Sequence, residues 1–193
     1  MSAMNPKIQK TYSFKDYLNW SESERVELID GTPYMMTPAP SRLHQQVLLE
    51  LGRQFANFLK GKTCEVNIAP FDVRLPEENN AKDKETMTVV QPDLVVVCDP
   101  AKLDDRGCKG APDLIIEILS PSNAAHDYII KMNLYEKKGV KEYWIVHPVD
   151  KVVMVHYLNN GKYDRPEIFD RDGCISVKTV QGLDIELHTL FEE

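Results

Sequence analysis

The sequence contains no long hydrophobic run and few signs of secretion or thiol chemistry. No apolar stretch in its 193 residues approaches the roughly 20 that a transmembrane helix requires, and the N-terminal MSAMNPKIQKTYSF lacks an apolar signal core. We therefore expect a cytoplasmic protein without a membrane partner. The four cysteines show no CxxC spacing, which predicts reduced, structural thiols at Cys64, Cys98, Cys108 and Cys174.

The sequence also lacks positive net charge, aromatic stretches, repeats and domain-scale linkers. The net charge of −7 argues against a protein that coats nucleic acid non-specifically, although it is compatible with a local basic groove. Aromatic residues form 8% of the chain, with no tryptophan-rich stretch, which gives little support for stacking against sugars. With 42% hydrophobic and 27% charged residues, the chain is predicted to form a single soluble globular domain over residues 1–193.

The order of apolar runs and turn residues predicts an α/β (α+β) fold, with helices on both faces of a mixed central sheet. A helix and a hairpin over about residues 13–37 are expected to form an N-terminal extension of the domain. A helix is expected over residues 41–59, and another from Ser120-Pro121 to about Lys138. The first of these has a predicted buried stripe of Leu43, Val47, Leu48, Leu51, Phe55 and Leu59. Strands are predicted near residues 26–29, 33–36, 63–66, 71–75, 89–97, 113–120, 142–147, 152–158 and 163–170.

Two carboxylates stand inside strand-like apolar runs. Glu117 lies within DLIIEILS, and Asp93 lies within VVQPDLVVV. An uncompensated buried carboxylate costs several kcal/mol, so each needs a cation, a hydrogen-bond network or a raised pKa. If the two strands are neighbours, both carboxylates can converge on one hard cation, Mg²⁺ or Mn²⁺. Such an ion can polarise a phosphoryl oxygen and lower the pKa of a bound water.

The helix predicted after the Glu117 strand carries further polar residues. Asn123, Asp127 and Lys131 follow one another at intervals of four and share one helix face. A lysine on that face could stabilise developing charge or position an attacking water.

The motifs also occur in a distinctive order along the chain. PDLVVV at 92–97 is followed by GAPDLIIEILSPSN at 110–123, Asp127 with Lys131, Tyr135 and GVKEYWIVHP at 139–148. ELIDG at 27–31 and His44 belong to the same pattern, which extends from about Phe14 to Leu190. The chain resembles the Uma-type putative restriction endonucleases of bacteria, a family of the PD-(D/E)XK nuclease superfamily.

The resemblance implies a restriction-endonuclease-like fold and metal-dependent hydrolysis of DNA, with Mg²⁺ or Mn²⁺ as cofactor. Asp93 takes the place of the motif aspartate, Glu117 that of the motif acid, and the main-chain carbonyl of Ile118 that of a third metal ligand. The usual E-x-K lysine is replaced by Leu119, and the family pattern carries a lysine at Lys131 instead. Cleavage of both strands of a duplex would favour a homodimer. Supporting residues are expected at Glu27, His44, Asp113 and Asp127.

Each of these residues also has a structural interpretation. Glu117 could form a buried ion pair, Asp93 could cap a turn after Pro92, and Lys131 could pair with Asp127 on the helix surface. The structural interpretation is favoured for His44 as a core histidine, Glu27 as a residue that orients a neighbour, and Asp113 as a strand-edge hydrogen-bond partner.

Three functions therefore remain open. The first is a Mg²⁺-dependent nuclease, and the second is a catalytically silent module that binds nucleic acid or protein on the same fold. The third is a metal-independent hydrolase with two carboxylates, such as a glycosidase.

Overall fold

The computed structural model describes residues 10–20, 25–36, 39–78, 82–120 and 126–192. Its elements are mostly strands, and a π-helical turn at His126–Lys131 leads directly into the third helix. The helices are α1 (Phe14–Tyr17), α2 (Arg42–Leu59), α3 (Met132–Lys138) and α4 (Leu187–Leu190). The strands are β1 (Val26–Ile29), β2 (Thr32–Met35), β3 (Glu65–Ile68), β4 (Val73–Arg74), β5 (Val89–Val90), β6 (Leu94–Val97), β7 (Leu103–Asp104), β8 (Gly107–Lys109), β9 (Leu114–Ile118), β10 (Glu142–His147), β11 (Val152–Asn159), β12 (Lys162–Tyr163), β13 (Glu167–Asp170), β14 (Cys174–Ser176) and β15 (Asp184–Glu186).

The central sheet is mixed and has the strand order β12-β11-β10-β9-β6-β3, with β13 also paired to β11. Strands β9 and β10 run parallel, whereas β6 is antiparallel to β9. Strand β9 is buried throughout, and its alternating side chains enter two separate cores. Ile116 packs in the core that contains Phe55 of α2, and Ile115 packs in the core that contains Leu134 of α3. The expected mixed sheet with helices on both faces is therefore confirmed.

A second sheet joins the N-terminal hairpin to the middle of the chain, in the order β2-β1-β5-β4-β8-β7. Strand β1 pairs with β5 through Leu28 and Val89. The hairpin is thus built into a sheet and brings its residues next to the strand that precedes Asp93. The assignment of the chain to one domain with an N-terminal extension stays a prediction.

The apolar run at residues 89–97 was expected to form one strand, and this expectation is wrong. Strand β5 belongs to the second sheet and β6 to the central sheet, with Gln91, Pro92 and Asp93 between them. Proline has no N–H to donate to a ladder, which favours a break at this position. Asp93 therefore lies at the junction of the two sheets, immediately before β6.

Other predicted boundaries also change. The strand expected at 163–170 is divided into β12 and β13, and the segment between the strands expected at 89–97 and 113–120 contains two further short strands, β7 and β8. The helix expected to begin at Ser120-Pro121 is described from His126 onward, and it ends at Gly139 as predicted, with φ of 84°. Residues 121–125, which include Pro121 and Asn123, lie outside the described residues.

Helix α2 was correctly placed, but one member of its buried stripe was not. Leu43 is 36% exposed, whereas His44 is only 6% exposed. The buried positions of α2 are 44, 47, 48, 51, 55 and 59. Leu43 comes one residue before this series and therefore projects from the helix outside the buried stripe. The Ser41 hydroxyl caps α2 by accepting a hydrogen bond from the His44 N–H.

The prediction that all cysteines are reduced is also wrong. Cys64 and Cys98 form a disulfide, while Cys108 and Cys174 are free. The antiparallel register pairs Glu65 of β3 with Val97 of β6, which places the two adjoining cysteines opposite each other. Cysteine spacing alone does not reveal this register.

In the described ranges, no helix combines the length and apolar character needed to span a bilayer.

Candidate active site

Glu117 is held by a lysine and a tyrosine in the core between β9 and α3. Its Oε1 accepts hydrogen bonds from Lys131 Nζ at 2.9 Å and from the Tyr135 hydroxyl at 2.7 Å. Glu117 is 3% exposed and Lys131 is 5% exposed, so the interpretation of Lys131 as a surface residue is wrong. The π-helical turn and α3 place both donors over the strand. A cation and a hydroxyl thus compensate the buried carboxylate.

Glu27 contacts the same lysine from the opposite side of the site. Its Oε1 lies 3.0 Å from Lys131 Nζ and accepts a hydrogen bond from the Gln91 N–H at 2.9 Å. Glu27 projects from β1, which the pairing with β5 brings next to Gln91. Lys131 therefore bridges two buried carboxylates, those of Glu27 and Glu117.

Asp93 is fixed at the end of β9. Its Oδ2 accepts a hydrogen bond from the Ile118 N–H at 2.8 Å and lies 3.2 Å from His44 Nε2. In an extended strand the N–H and C=O of one residue point to the same edge, so the Ile118 carbonyl also faces the Asp93 side. The Asp93 side chain is 19% exposed, which makes it the most accessible of the three acids.

These groups meet at a cleft of about 660 Å³. Its lining includes the N-terminal end of α2, Asp93 immediately before β6, and Glu117 and Ile118 of β9. Glu27 does not line the cleft, although its carboxylate contacts Lys131, which does. The polar lining residues are Arg25, Ser41, His44, Gln45, Gln91, Asp93, Glu117, Ser120 and Lys131.

Asp113 is not part of this group. It lies before β9, at the opposite end from Glu117, where it accepts hydrogen bonds from the Cys98 N–H and from Lys141 Nζ. Burial alone would raise the pKa of Asp113, but these two hydrogen bonds and the positive charges of Lys141 and Lys102 together lower the pKa below its usual value. Its expected strand-edge role is what the contacts show. The side chain of Asp127 lies outside the part of the chain whose side chains are described.

The sequence analysis did not identify two residues that contribute to the site, Tyr135 and Gln91. Tyr135 was noted only as part of a motif, and Gln91 was taken as part of a continuous strand. The Gln91 amide donates to the Tyr17 hydroxyl at 3.1 Å and to Asp72 Oδ1 at 2.8 Å. The helical spacing of four between Lys131 and Tyr135 was a usable signal, because it places both on one face.

Carboxylate and carbonyl oxygens, which line this cleft, are the kind of ligand that a hard divalent cation takes. Glu27, Asp93, Glu117 and Lys131 comprise three carboxylates and one ammonium, a formal charge of −2. Within the described residues, no group of three or more histidine, cysteine, aspartate or glutamate side chains is arranged around a common metal position. Two carboxylates and one carbonyl would leave several positions to water, which suits Mg²⁺.

Comparison with known proteins shows which family, sequence relative and solved structure the chain resembles. The sequence profile of the Uma2 family, described as "Putative restriction endonuclease", matches residues 14–188. The uncharacterized protein slr1290 of Synechocystis sp. PCC 6803 is 28% identical over 162 residues, which are 82% of this chain and 78% of that protein. The crystal structure of a putative nuclease belonging to DUF820 from Anabaena variabilis has a TM-score of 0.73 at 20% identity, over 93% of this chain and 97% of that one. The structural match confirms the expected restriction-endonuclease-like fold.

Proposed function

The chain belongs to the Uma2 family of putative restriction endonucleases, and from this premise we propose that it is an endonuclease that hydrolyses DNA phosphodiester bonds with a divalent cation, Mg²⁺ or Mn²⁺. The observation that carries the proposal is the excess of carboxylates over the one ammonium in the group formed by Glu27, Asp93, Glu117 and Lys131. Lys131 is shared between Glu27 and Glu117, while Asp93 adds a further carboxylate beside Ile118. Buried charges are retained where a partner compensates them, and a divalent cation would balance the remaining formal charge.

Asp93, Glu117 and the Ile118 carbonyl would hold the cation, which when bound would polarise a phosphoryl oxygen and lower the pKa of a bound water. The Ile118 N–H and His44 orient the Asp93 carboxylate. Lys131 would stabilise the negative charge that develops on the phosphoryl group, the role of the lysine that Leu119 cannot supply.

The walls of the cleft suit a polyanionic strand. The N-terminus of α2 borders the cleft and has no acidic residue in its first turn, so its partial positive charge favours a phosphate. Arg25 is an exposed cation on the cleft lining and could contact a neighbouring phosphate. A homodimer and a cytoplasmic location stay predictions.

Cleavage of plasmid and linear duplex DNA, with and without Mg²⁺ or Mn²⁺, tests the proposal. Glu117→Gln and Asp93→Asn should each reduce the rate by about 100-fold or more, because each removes a charge from the reacting site. Asp113→Asn is the matched control, since Asp113 is a buried acid beside the same strand but outside the cleft. It should cleave at nearly the wild-type rate.

The alternatives give different results in the same assay. Binding of DNA without any cleavage would favour the silent module. Equal cleavage by Glu117→Gln and wild type would refute the assignment of the site.

A further inference from the structure

We infer that Lys131 is an internal counter-cation of the acidic site, which competes with a divalent cation for Glu117, and that Glu27 is the positioning residue that retains the lysine. The inference rests on the proposed divalent-cation site. It assigns Glu27 a role toward Lys131 and not toward the cation.

The ammonium is shared almost equally by the two glutamates. Lys131 Nζ lies 2.9 Å from Glu117 Oε1 and 3.0 Å from Glu27 Oε1. The side chains are only 4–6% exposed, so water screens these contacts weakly. The Lys131 ammonium therefore supplies the positive charge beside Glu117 that a bound divalent cation would otherwise supply.

The two glutamates are not equivalent with respect to the cleft. Glu117 and Lys131 both line it, whereas Glu27 contacts the lysine but is not part of the lining. A cation that enters from the cleft therefore reaches Glu117 and Lys131 before Glu27. When Glu117 binds the cation, Glu27 remains as a carboxylate partner of the Lys131 ammonium.

Glu27 is also held in place independently of the lysine. The backbone N–H of Gln91 donates to the same Oε1, and β1 is paired on both sides, with β2 and with β5. The Gln91 side chain is anchored in turn by Tyr17 and Asp72, whose own side chains are hydrogen bonded at 3.1 Å. These contacts fix the carboxylate that retains Lys131.

This arrangement predicts opposite effects for two variants of one ion pair. Lys131→Met removes the competing cation and should tighten Mn²⁺ binding about tenfold or more, because a positive charge has left the site. Glu27→Gln removes one of the carboxylates that hold Lys131, so the ammonium should interact more strongly with Glu117 and weaken Mn²⁺ binding about tenfold. Isothermal titration calorimetry with Mn²⁺ on the full chain, at pH 8 and without DNA, measures both.

A double-mutant cycle separates positioning from direct coordination. If Glu27 acts through Lys131, Glu27→Gln should change the Mn²⁺ affinity much less in a Lys131→Met background than in the wild type. An equal loss in both backgrounds would mean that Glu27 is itself a metal ligand and would overturn the inference. Glu142→Gln is the control, because Glu142 is a buried carboxylate bonded to Trp144 and Thr179 and does not line the cleft. It should leave the affinity unchanged.

The outcomes distinguish this inference from the proposed function. A wild type that binds no Mn²⁺ defeats both the metal site and the inference. If the wild type binds Mn²⁺ but Lys131→Met binds equally or more weakly, the counter-cation is refuted and the proposed function stands. If Lys131→Met does not fold, Glu27→Gln decides, since it keeps a side chain of similar shape: unchanged Mn²⁺ affinity would refute the positioning role.

Discussion

Tyr135 shows how one hydroxyl maintains the charge state of the site. Burial raises the pKa of Tyr135 well above its usual value, and the neighbouring charges of Glu117 and Glu27 raise it further. The phenol therefore remains a proton donor to Glu117 throughout the neutral range. Its ring also packs edge-to-face against Tyr143, at a centroid distance of 5.1 Å.

Replacement of Tyr135 by phenylalanine should keep this packing and remove only the donor. Because Glu117 then loses a hydrogen bond in a buried environment, we expect the free energy of unfolding to decrease by about 1–3 kcal/mol. Urea denaturation at pH 7 measures the change. Tyr163→Phe is the control, since the Tyr163 hydroxyl donates to the neutral Val140 carbonyl and should cost only about 0.5–1.5 kcal/mol. A Tyr135→Phe variant as stable as the wild type would show that the hydroxyl contributes nothing to holding Glu117.

Among the elements, β8 packs closely against the backbone of Asp72, whose side chain anchors Gln91. Gly107 has φ of 108°, and a Cβ placed there would lie 2.2 Å from the Asp72 carbonyl oxygen. That carbonyl accepts the Cys108 N–H, which helps to hold β8 against β4. Glycine is required at this position by conformation and by space.

Two glycine substitutions should therefore differ in cost. Gly107→Ala combines an unfavourable φ with a backbone clash, so we expect a loss of about 3 kcal/mol or more. Gly139→Ala also has positive φ, at the end of α3, but its Cβ would meet nothing within 4 Å, so about 1–2 kcal/mol is expected. Guanidinium denaturation of both variants gives the comparison. Equal losses would mean that the clash at Gly107 is relieved by a small backbone shift.

Local sequence signals predicted the elements better than their partners. The runs around Glu117 and Trp144 identified β9 and β10, and Ser41 marked the start of α2. The break before Asp93 was missed, because VVQPDLVVV has a continuous apolar composition and Pro92 alone does not reveal a change of sheet. Pairings such as β3 with β6, and with it the disulfide of Cys64, depend on tertiary register that composition does not encode.

The same distinction applies to the candidate site. Asp93 and Glu117 could be selected from the sequence because a carboxylate is anomalous in an apolar run. The partnership of Glu27 with Lys131 could not, since more than 100 residues separate them and their contact depends on the hairpin joining β5. The sequence thus identified acids of the site, whereas the contact of Lys131 with both Glu27 and Glu117 is evident only from the fold.

At the scale of the whole molecule, the cleft lies where the two large sheets meet. Gln91 follows β5 of one sheet and Asp93 precedes β6 of the other, and the Ile118 N–H connects Asp93 to β9. The hairpin supplies Glu27 from one side, and the π-helical turn supplies Lys131 from the other. A group that binds at this junction would connect segments from distant parts of the chain and should therefore stabilise the entire fold.

Thermal unfolding with and without Mn²⁺ tests this coupling. A ligand that binds only the folded state, at about 100 times its Kd, adds about 2.7 kcal/mol of stability by mass action. For a chain of this size each kcal/mol raises Tm by about 2–4 °C, so we expect a rise of about 5–10 °C at pH 7, reversed by EDTA. Asp113→Asn should show the same increment, because Asp113 lies outside the cleft, whereas Glu117→Gln should lose it. If millimolar Mn²⁺ leaves the wild-type Tm unchanged, the junction does not bind the cation, and a catalytically silent module becomes the better account of the fold.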